Sequence, residues 1–211
     1  MAKQDQQPFS ISNAVSFGFE KAKANLGFYV VLFLIVVVVY VVYFVLQTIL
    51  VGQIGQDAGL IMGLANWILS SIVSLGIVTI SLKIIDGKKP NYKDLWFNNW
   101  SLLFVFIVAS LIRQIVVVIG FFLLIVPGII LSIKLQYIEY LIVDKKMGFE
   151  AINKSWEMTK GVKLKLFLFA LVLGLINIAG VLLVVVGLFI TVPLSMLASA
   201  YVYRKLLTYK A

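Results

Sequence analysis

Residues 127–161 read PGIILSIKLQYIEYLIVDKKMGFEAINKSWEMTKG. The stretch opens on a turn signal, Pro127-Gly128, and runs through an apolar segment that carries Lys134 and Glu139. It meets charge at Asp144-Lys145-Lys146 and continues as an amphipathic segment to Gly161. The apolar part, 128–143, has 16 residues, a rise of about 24 Å, which is short against the roughly 20 residues that cross a bilayer core of ~30 Å. The pattern predicts a helix that enters a bilayer from a tight turn, leaves it at Asp144, and is followed by an interfacial helix over 147–160. In that second helix Phe149, Ile152, Trp156 and Thr159 share one face, and Glu150, Lys154, Glu157 and Lys160 share the other. Glu150 precedes Lys154 by four, the favourable orientation for a helical ion pair, and Gly161 is a helix stop.

The rest of the chain fits the same solvent. Of its 211 residues 62% are hydrophobic and 13% charged, against about 45–50% and about 25% in soluble domains. That excess requires a bilayer. Backbone groups in hydrocarbon must be satisfied within the segment, so long continuous apolar runs predict helices and not barrel strands. The sequence contains no Cys and no His, which removes disulfides, thiolate chemistry, imidazole bases and the usual zinc sites. The net charge of +9 reads as topology, not as nucleic-acid binding.

Working outward, the expected fold is all-α: a single polytopic membrane domain, 1–211, with six spans at about 26–50, 58–82, 101–126, 128–143, 164–190 and 191–207. Residues 1–9 are polar. An interfacial helix is expected over 10–24, where Ile11, Val15, Phe19 and Ala22 recur at helical spacing, and another over 91–100, with Asn91 as cap and Tyr92, Leu95, Trp96 and Trp100 at headgroup level. Trp96, Trp100 and Trp156 read as belt residues. All Lys and Arg residues except Arg113 and Lys134 cluster in or beside the ends of spans on one side. The positive-inside rule therefore puts both termini in the cytoplasm. The order surface helix, long span, tight turn, span recurs, and AVSFGFEKAKAN (14–25) resembles AINKSWEMTKGV (151–162) at an offset of 137 residues. This points to internal helix-hairpin repeats.

Within the spans, Arg113 lies 13 residues before Val126 and Glu139 lies 11 after Gly128. If the chain reverses at Pro127-Gly128, both sit about 17–20 Å below the turn, so an Arg113–Glu139 ion pair is expected. Asn177 falls at a similar level, with Gln114 and Gln136 near, and together these five residues form a candidate polar layer. It is either a clamp fixing helix register or a binding or conduction site. Lys134 reads as nearer the outer face, where it could snorkel, or contact a lipid headgroup or another anion.

The run PGIILSIK from Pro127, the IVD ending at Asp144 and EAINKSWEMTKG from Glu150 to Gly161 together resemble the membrane-domain family found with some glycerophosphodiester phosphodiesterases and in many uncharacterised prokaryotic membrane proteins. The likeness is strongest over 90–165. It implies a six-span helical bundle and marks Pro127, Gly128, Lys134, Asp144, Ser155 and Trp156 as motif positions. It does not imply phosphodiesterase activity, because the soluble catalytic domain of those enzymes is not in this sequence.

The leading expectation is a non-enzymatic membrane protein that uses no cofactor or metal and binds membrane lipids, or a protein partner at its cytoplasmic face. The alternative is a small-solute transporter or channel using the polar layer. A lipid-modifying enzyme is disfavoured, because nine Asp and Glu form no visible nucleophile and base pair.

Overall fold

The computed structural model describes residues 8–54, 58–96, 99–183 and 187–209. Among these, the helices are α1 (Ile11–Ala24), α2 (Leu26–Ile54), α3 (Ala58–Ile85), α4 (Trp100–Leu123), α5 (Ile125–Leu135), α6 (Ile138–Lys145), α7 (Glu150–Met158), α8 (Lys163–Leu182) and α9 (Leu188–Tyr209), with a 3₁₀ turn at Tyr92–Leu95. Five segments are long and apolar enough to cross a membrane: Leu26–Gln53, Ile61–Ile85, Trp100–Leu123, Ile125–Lys145 and Lys163–Leu182. Helices α2, α4 and α8 turn large apolar side chains outward, with Phe44 67% and Phe122 89% exposed. A soluble monomer rarely shows contiguous apolar surface on that scale.

Helix α9 has 22 residues but does not join those five segments, and its composition explains why. It is largely enclosed, burying Pro193, Leu194, Leu197, Ala198, Ala200, Val202, Tyr203 and Leu206. Small and polar residues that favour helix contact replace the Leu and Val that lipid would require.

Several boundaries differ from those expected. Span three ends at Leu123, not at 126, and the chain reverses at Leu124, whose extended φ of −164° and ψ of 152° separate α4 from α5. Pro127 and Gly128 lie inside the first turn of α5, where the missing proline N–H leaves no lost bond. The reversal is tight because two glycines meet: a Cβ on Gly120 would fall 3.0 Å from Gly128 Cα. Span four is longer than 128–143 and is broken at Gln136-Tyr137. Span five stops at Leu182, and the next helix begins at Leu188 with Pro193 inside it, not at 191. A Cβ on Gly187 would fall 2.7 Å from Gly180 Cα, the same glycine device at the second reversal.

The expected interfacial helix at 91–100 is instead the 3₁₀ turn followed by the start of α4. In the turn Asn91 and Asp94 cap each other's backbone, and Lys83 of α3 holds Asp94 at 2.7 Å. Positions 97–98 of that expectation, like residues 1–7, lie outside the described residues.

The helices pack in a cyclic order. Second helices of hairpins form the interior: α3 touches α9 and α6, while Tyr137 and Tyr140 lie against Tyr203 with ring centroids 6.0 and 5.3 Å apart. Each outer helix lies beside its own hairpin partner and the preceding inner helix: α2 on α3 and α9, α4 on α5–α6 and α3, α8 on α9 and α5. Each surface element crosses the inner helix that precedes it in the cycle. A Cβ on Gly76 of α3 would fall 2.6 Å from Leu95 Cα in the 3₁₀ turn; Ser155 of α7 bonds the backbone at Lys134 and Tyr137; a Cβ on Gly18 of α1 would fall 2.6 Å from the Leu194 carbonyl oxygen of α9.

The buried residues of α1 are all small, Ala14, Gly18 and Ala22, whereas α7 buries Ala151 and Ser155 together with Met158, with the capping Thr159 buried after them. Phe19 and Trp156 are 47% and 41% exposed. Close backbone approach favours the small side chains Gly18 and Ser155 at the contact itself.

Candidate functional site

Arg113 of α4 and Glu139 of α6 meet, Nη2 to Oε1, at 3.0 Å. Ser74 of α3 donates its hydroxyl to the other carboxylate oxygen at 3.2 Å, so three helices converge on Glu139. The break at Gln136-Tyr137 assists, because it puts Glu139 in the first turn of α6, where the exposed N–H groups favour an anion. The break itself has a side-chain cause. The Ser155 hydroxyl donates to the Lys134 carbonyl at 2.8 Å and accepts from the Tyr137 N–H at 3.3 Å, standing in for missing helical bonds.

Beside the ion pair is a cavity of about 160 Å³ lined by Trp67, Ser70, Ser71, Ser74, Ser110 and Gln114. Ser110 is 4% exposed, and its hydroxyl has no partner. The Arg113 Nε is likewise buried without an acceptor. Buried donors are ordinarily paired, and this space admits several waters or one small polar solute. Tyr40 of α2 shares a 2.9 Å hydrogen bond with Ser70, which carries the polar run to a fourth helix.

Of the five residues expected in one layer, Arg113, Glu139 and Gln114 come together. Asn177 does not join them. Its amide donates to the Leu173 carbonyl and to Ser195 Oγ at 3.0 and 2.9 Å, linking α8 to α9 in a separate cluster. Gln136 donates to the Ile133 carbonyl at 3.0 Å and serves the end of α5. Depth along a helix was the correct variable, but direction around it separates these residues.

Lys134 is also not near the outer turn. Its ammonium lies 3.1 Å from the centre of the Trp156 ring, at the level of α7 on the basic side of the bundle. The apolar residues of α7 and α4 form a second cavity, about 350 Å³, lined by Ile112, Arg113, Leu135, Ile152, Asn153 and Trp156, among others. A third, about 450 Å³, lies beside α1 and is lined by Val15, Ser16, Phe19, Glu20, Ile176 and Thr191, with Ile190 and Leu194.

One cluster has no counterpart in the expected site. Arg204 of α9 holds Asp86 at the end of α3 through Nε and Nη2, at 3.1 and 2.8 Å. Its Nη1 reaches Asp144 of α6 at 2.7 Å, and Tyr203 donates to the same oxygen at 2.9 Å. The basic ends of the three inner helices are thereby tied together. A sequence signal existed: Asp86, Asp144 and Arg204 stand 58 and 60 residues apart, and both aspartates precede a Lys-Lys pair.

These features define a helical bundle with apolar outer faces, a polar interior layer and an ionic tie at its basic end. No family model, curated protein or solved structure matches the chain.

Proposed function

We propose that this chain is a non-enzymatic integral membrane protein with six spans and both termini on the cytoplasmic side of a prokaryotic membrane, which acts by binding membrane lipid or a protein partner at its basic face. The observation that carries this is the pair of clefts that α1 and α7 leave against the bundle. Helical residues at an offset of 137 line them alike: Val15 and Ile152, Ser16 and Asn153, Phe19 and Trp156. Apolar walls with a polar edge suit an amphiphile.

The same equivalences support three repeats of surface element, outer helix and inner helix. In the inner helices Gly76, Lys134 and Leu194 all meet a surface element, and Asp86, Asp144 and Arg204 all meet at the basic end. The likeness to the phosphodiesterase-associated membrane domain is proposed with it, supported by the mutual contact of its motif positions Lys134, Ser155 and Trp156.

The absence of cysteine gives a clean test of topology. Single cysteines at Lys88 and Leu124 are expected to react with an impermeant thiol reagent in intact cells only at 124. Labelling at 88 alone would reverse the orientation, and labelling at both would break the six-span count. For the activity, native mass spectrometry after gentle extraction is expected to find retained lipid or a bound protein, and a bare chain would refute the reading.

A second reading, small-solute binding or passage, is favoured by the unpartnered Ser110 hydroxyl and Arg113 Nε in the polar cavity. Proteoliposome flux unchanged by Arg113→Leu with Glu139→Leu would remove it.

A further inference from the structure

We infer that the polar cavity between α3, α4 and α6 is a binding site for a small uncharged polyol, about three carbons long. This rests on the second reading above and names the class of solute. On the α4 wall two donors are free: the Ser110 hydroxyl, in a side chain 4% exposed, and the Arg113 Nε–H. On the facing α3 wall the hydroxyl protons are already given away. Ser71 donates to the Trp67 carbonyl at 2.9 Å and Ser74 to Glu139 at 3.2 Å, which leaves both oxygens with lone pairs to accept. A solute that meets both walls must accept from one and donate to the other, and a hydroxyl does each with a single atom. Gln114, near the middle of the 24-residue α4, lines the same cavity, and its amide has no partner among the described residues. An amide left so in hydrocarbon is costly, and a polar solute in the cavity satisfies it.

Charge and size narrow the class. Arg113 and Glu139 neutralise each other at 3.0 Å, so an ion of either sign would have to displace one partner of an enclosed pair. A volume of about 160 Å³ holds about five waters at ~30 Å³ each. That suits a solute of roughly six non-hydrogen atoms and is too small for a hexose. Trp67 and Phe106 place apolar walls beside the hydroxyls. Such walls suit the C–H side of a carbon chain, which a polyol has and urea lacks. Arg113 also lines the α7 cleft, so the cavity adjoins the space beneath the surface helix on the basic side.

Saturation-transfer NMR on the full-length protein in deuterated detergent reads weak binding from the solute's own signals. Glycerol is expected to give a saturable signal with a Kd on the order of 10 mM, within what a solute of its size supplies. Ser110→Ala should weaken that binding about tenfold, the loss of one hydrogen bond. It should not lower the melting midpoint, because it removes a hydroxyl that the fold leaves unpaired. Ser110→Leu, which fills the cavity, should abolish binding. Ser132→Ala on α5, whose hydroxyl bonds the Ile129 carbonyl of its own helix, should change nothing. Glycerol binding that survives both Ser110 variants overturns the site, and a lowered midpoint in Ser110→Ala makes that hydroxyl structural and overturns its role. Binding of glycerate or urea in place of glycerol overturns the polyol class and leaves the small-solute reading standing. No saturable signal from any of the three overturns both.

Discussion

Helices α1 and α7 occupy corresponding places in the bundle and use opposite means to hold them. On α1 the contact residue is Gly18, pressed against an uninterrupted α9 at the Leu194 carbonyl. On α7 it is Ser155, whose hydroxyl enters a helix that is broken where it touches. The first contact is packing alone, and the second adds polar bonds and opens a helix start. From that start follow Glu139 in a first turn, its pairing with Arg113 and the cavity beside them. In the proposed repeat, Leu173 and Ser199, 60 residues on, correspond to Arg113 and Glu139. One serine in a surface helix thus distinguishes an inert joint from a polar one.

The largest expected effect comes from dividing the ion pair. Arg113→Leu or Glu139→Ser alone leaves a charge enclosed without its partner and should cost about 3–5 kcal/mol. The double variant Arg113→Leu with Glu139→Ser gives the α7 side the residues of the α1 side and should recover most of that loss. Thermal melting in detergent of the singles and the double forms the cycle. If the double melts as low as the sum of the singles, the pair is not a coupled clamp.

Next is the packed joint. Gly18→Leu places its Cβ 2.6 Å from a backbone oxygen, and a backbone cannot rotate away as a side chain does. The expected loss is about 3 kcal/mol, at the upper end of ordinary overpacking. Proteolysis between α1 and α2 should rise with it, as α1 leaves α9. Gly174 has open space around it, so Gly174→Leu serves as the permissive control.

The polar joint should respond less. Ser155→Ala keeps the fit and removes the hydroxyl, leaving the Lys134 carbonyl without its donor at a loss of about 1–3 kcal/mol. Exchange at the Tyr137 amide should accelerate, since that N–H loses its acceptor as well. Unchanged exchange there would show that the break is held by the chain around it and not by Ser155.

Much of this was readable from residue order, for identifiable reasons. Charge asymmetry and apolar run length located α2, α3 and α8, because lipid acts on length and composition. The Arg113–Glu139 pair was readable even though the turn was misplaced. Counted from the true reversal the residues lie 10 before Leu123 and 14 after Ile125, a difference of about one helical turn, which the long arginine side chain covers. The small-residue contacts of α1 and α7 were not read, because large apolar residues mark the buried face in water, whereas helices that approach closely in lipid select Ala, Gly and Ser. The Asp86–Arg204–Asp144 tie was not legible as a contact, since each charge taken singly is an ordinary helix end.

The smallest prediction separates the two surface helices at their starts. Helix α1 is capped by a neutral group, the Ser10 hydroxyl accepting from the Asn13 N–H at 3.4 Å. Helix α7 is preceded by a charged tie, the Glu150 carboxylate accepting from the Gly148 N–H at 2.8 Å, and that bond holds the Glu150 carboxyl below its ordinary range. A carboxyl lowered by folding binds fewer protons folded than unfolded. Its contribution is complete above the unfolded value, about 4.3, and is lost as pH falls through the lower folded value. Glu150→Gln should therefore lower the melting midpoint slightly at pH 7 and progressively less below pH ~4. Ser10→Ala should lower it by an amount that does not change over the same interval, because neither cap partner titrates there. A Glu150→Gln deficit that persists undiminished into acid would mean that the carboxylate's charge takes no part in holding the start of α7.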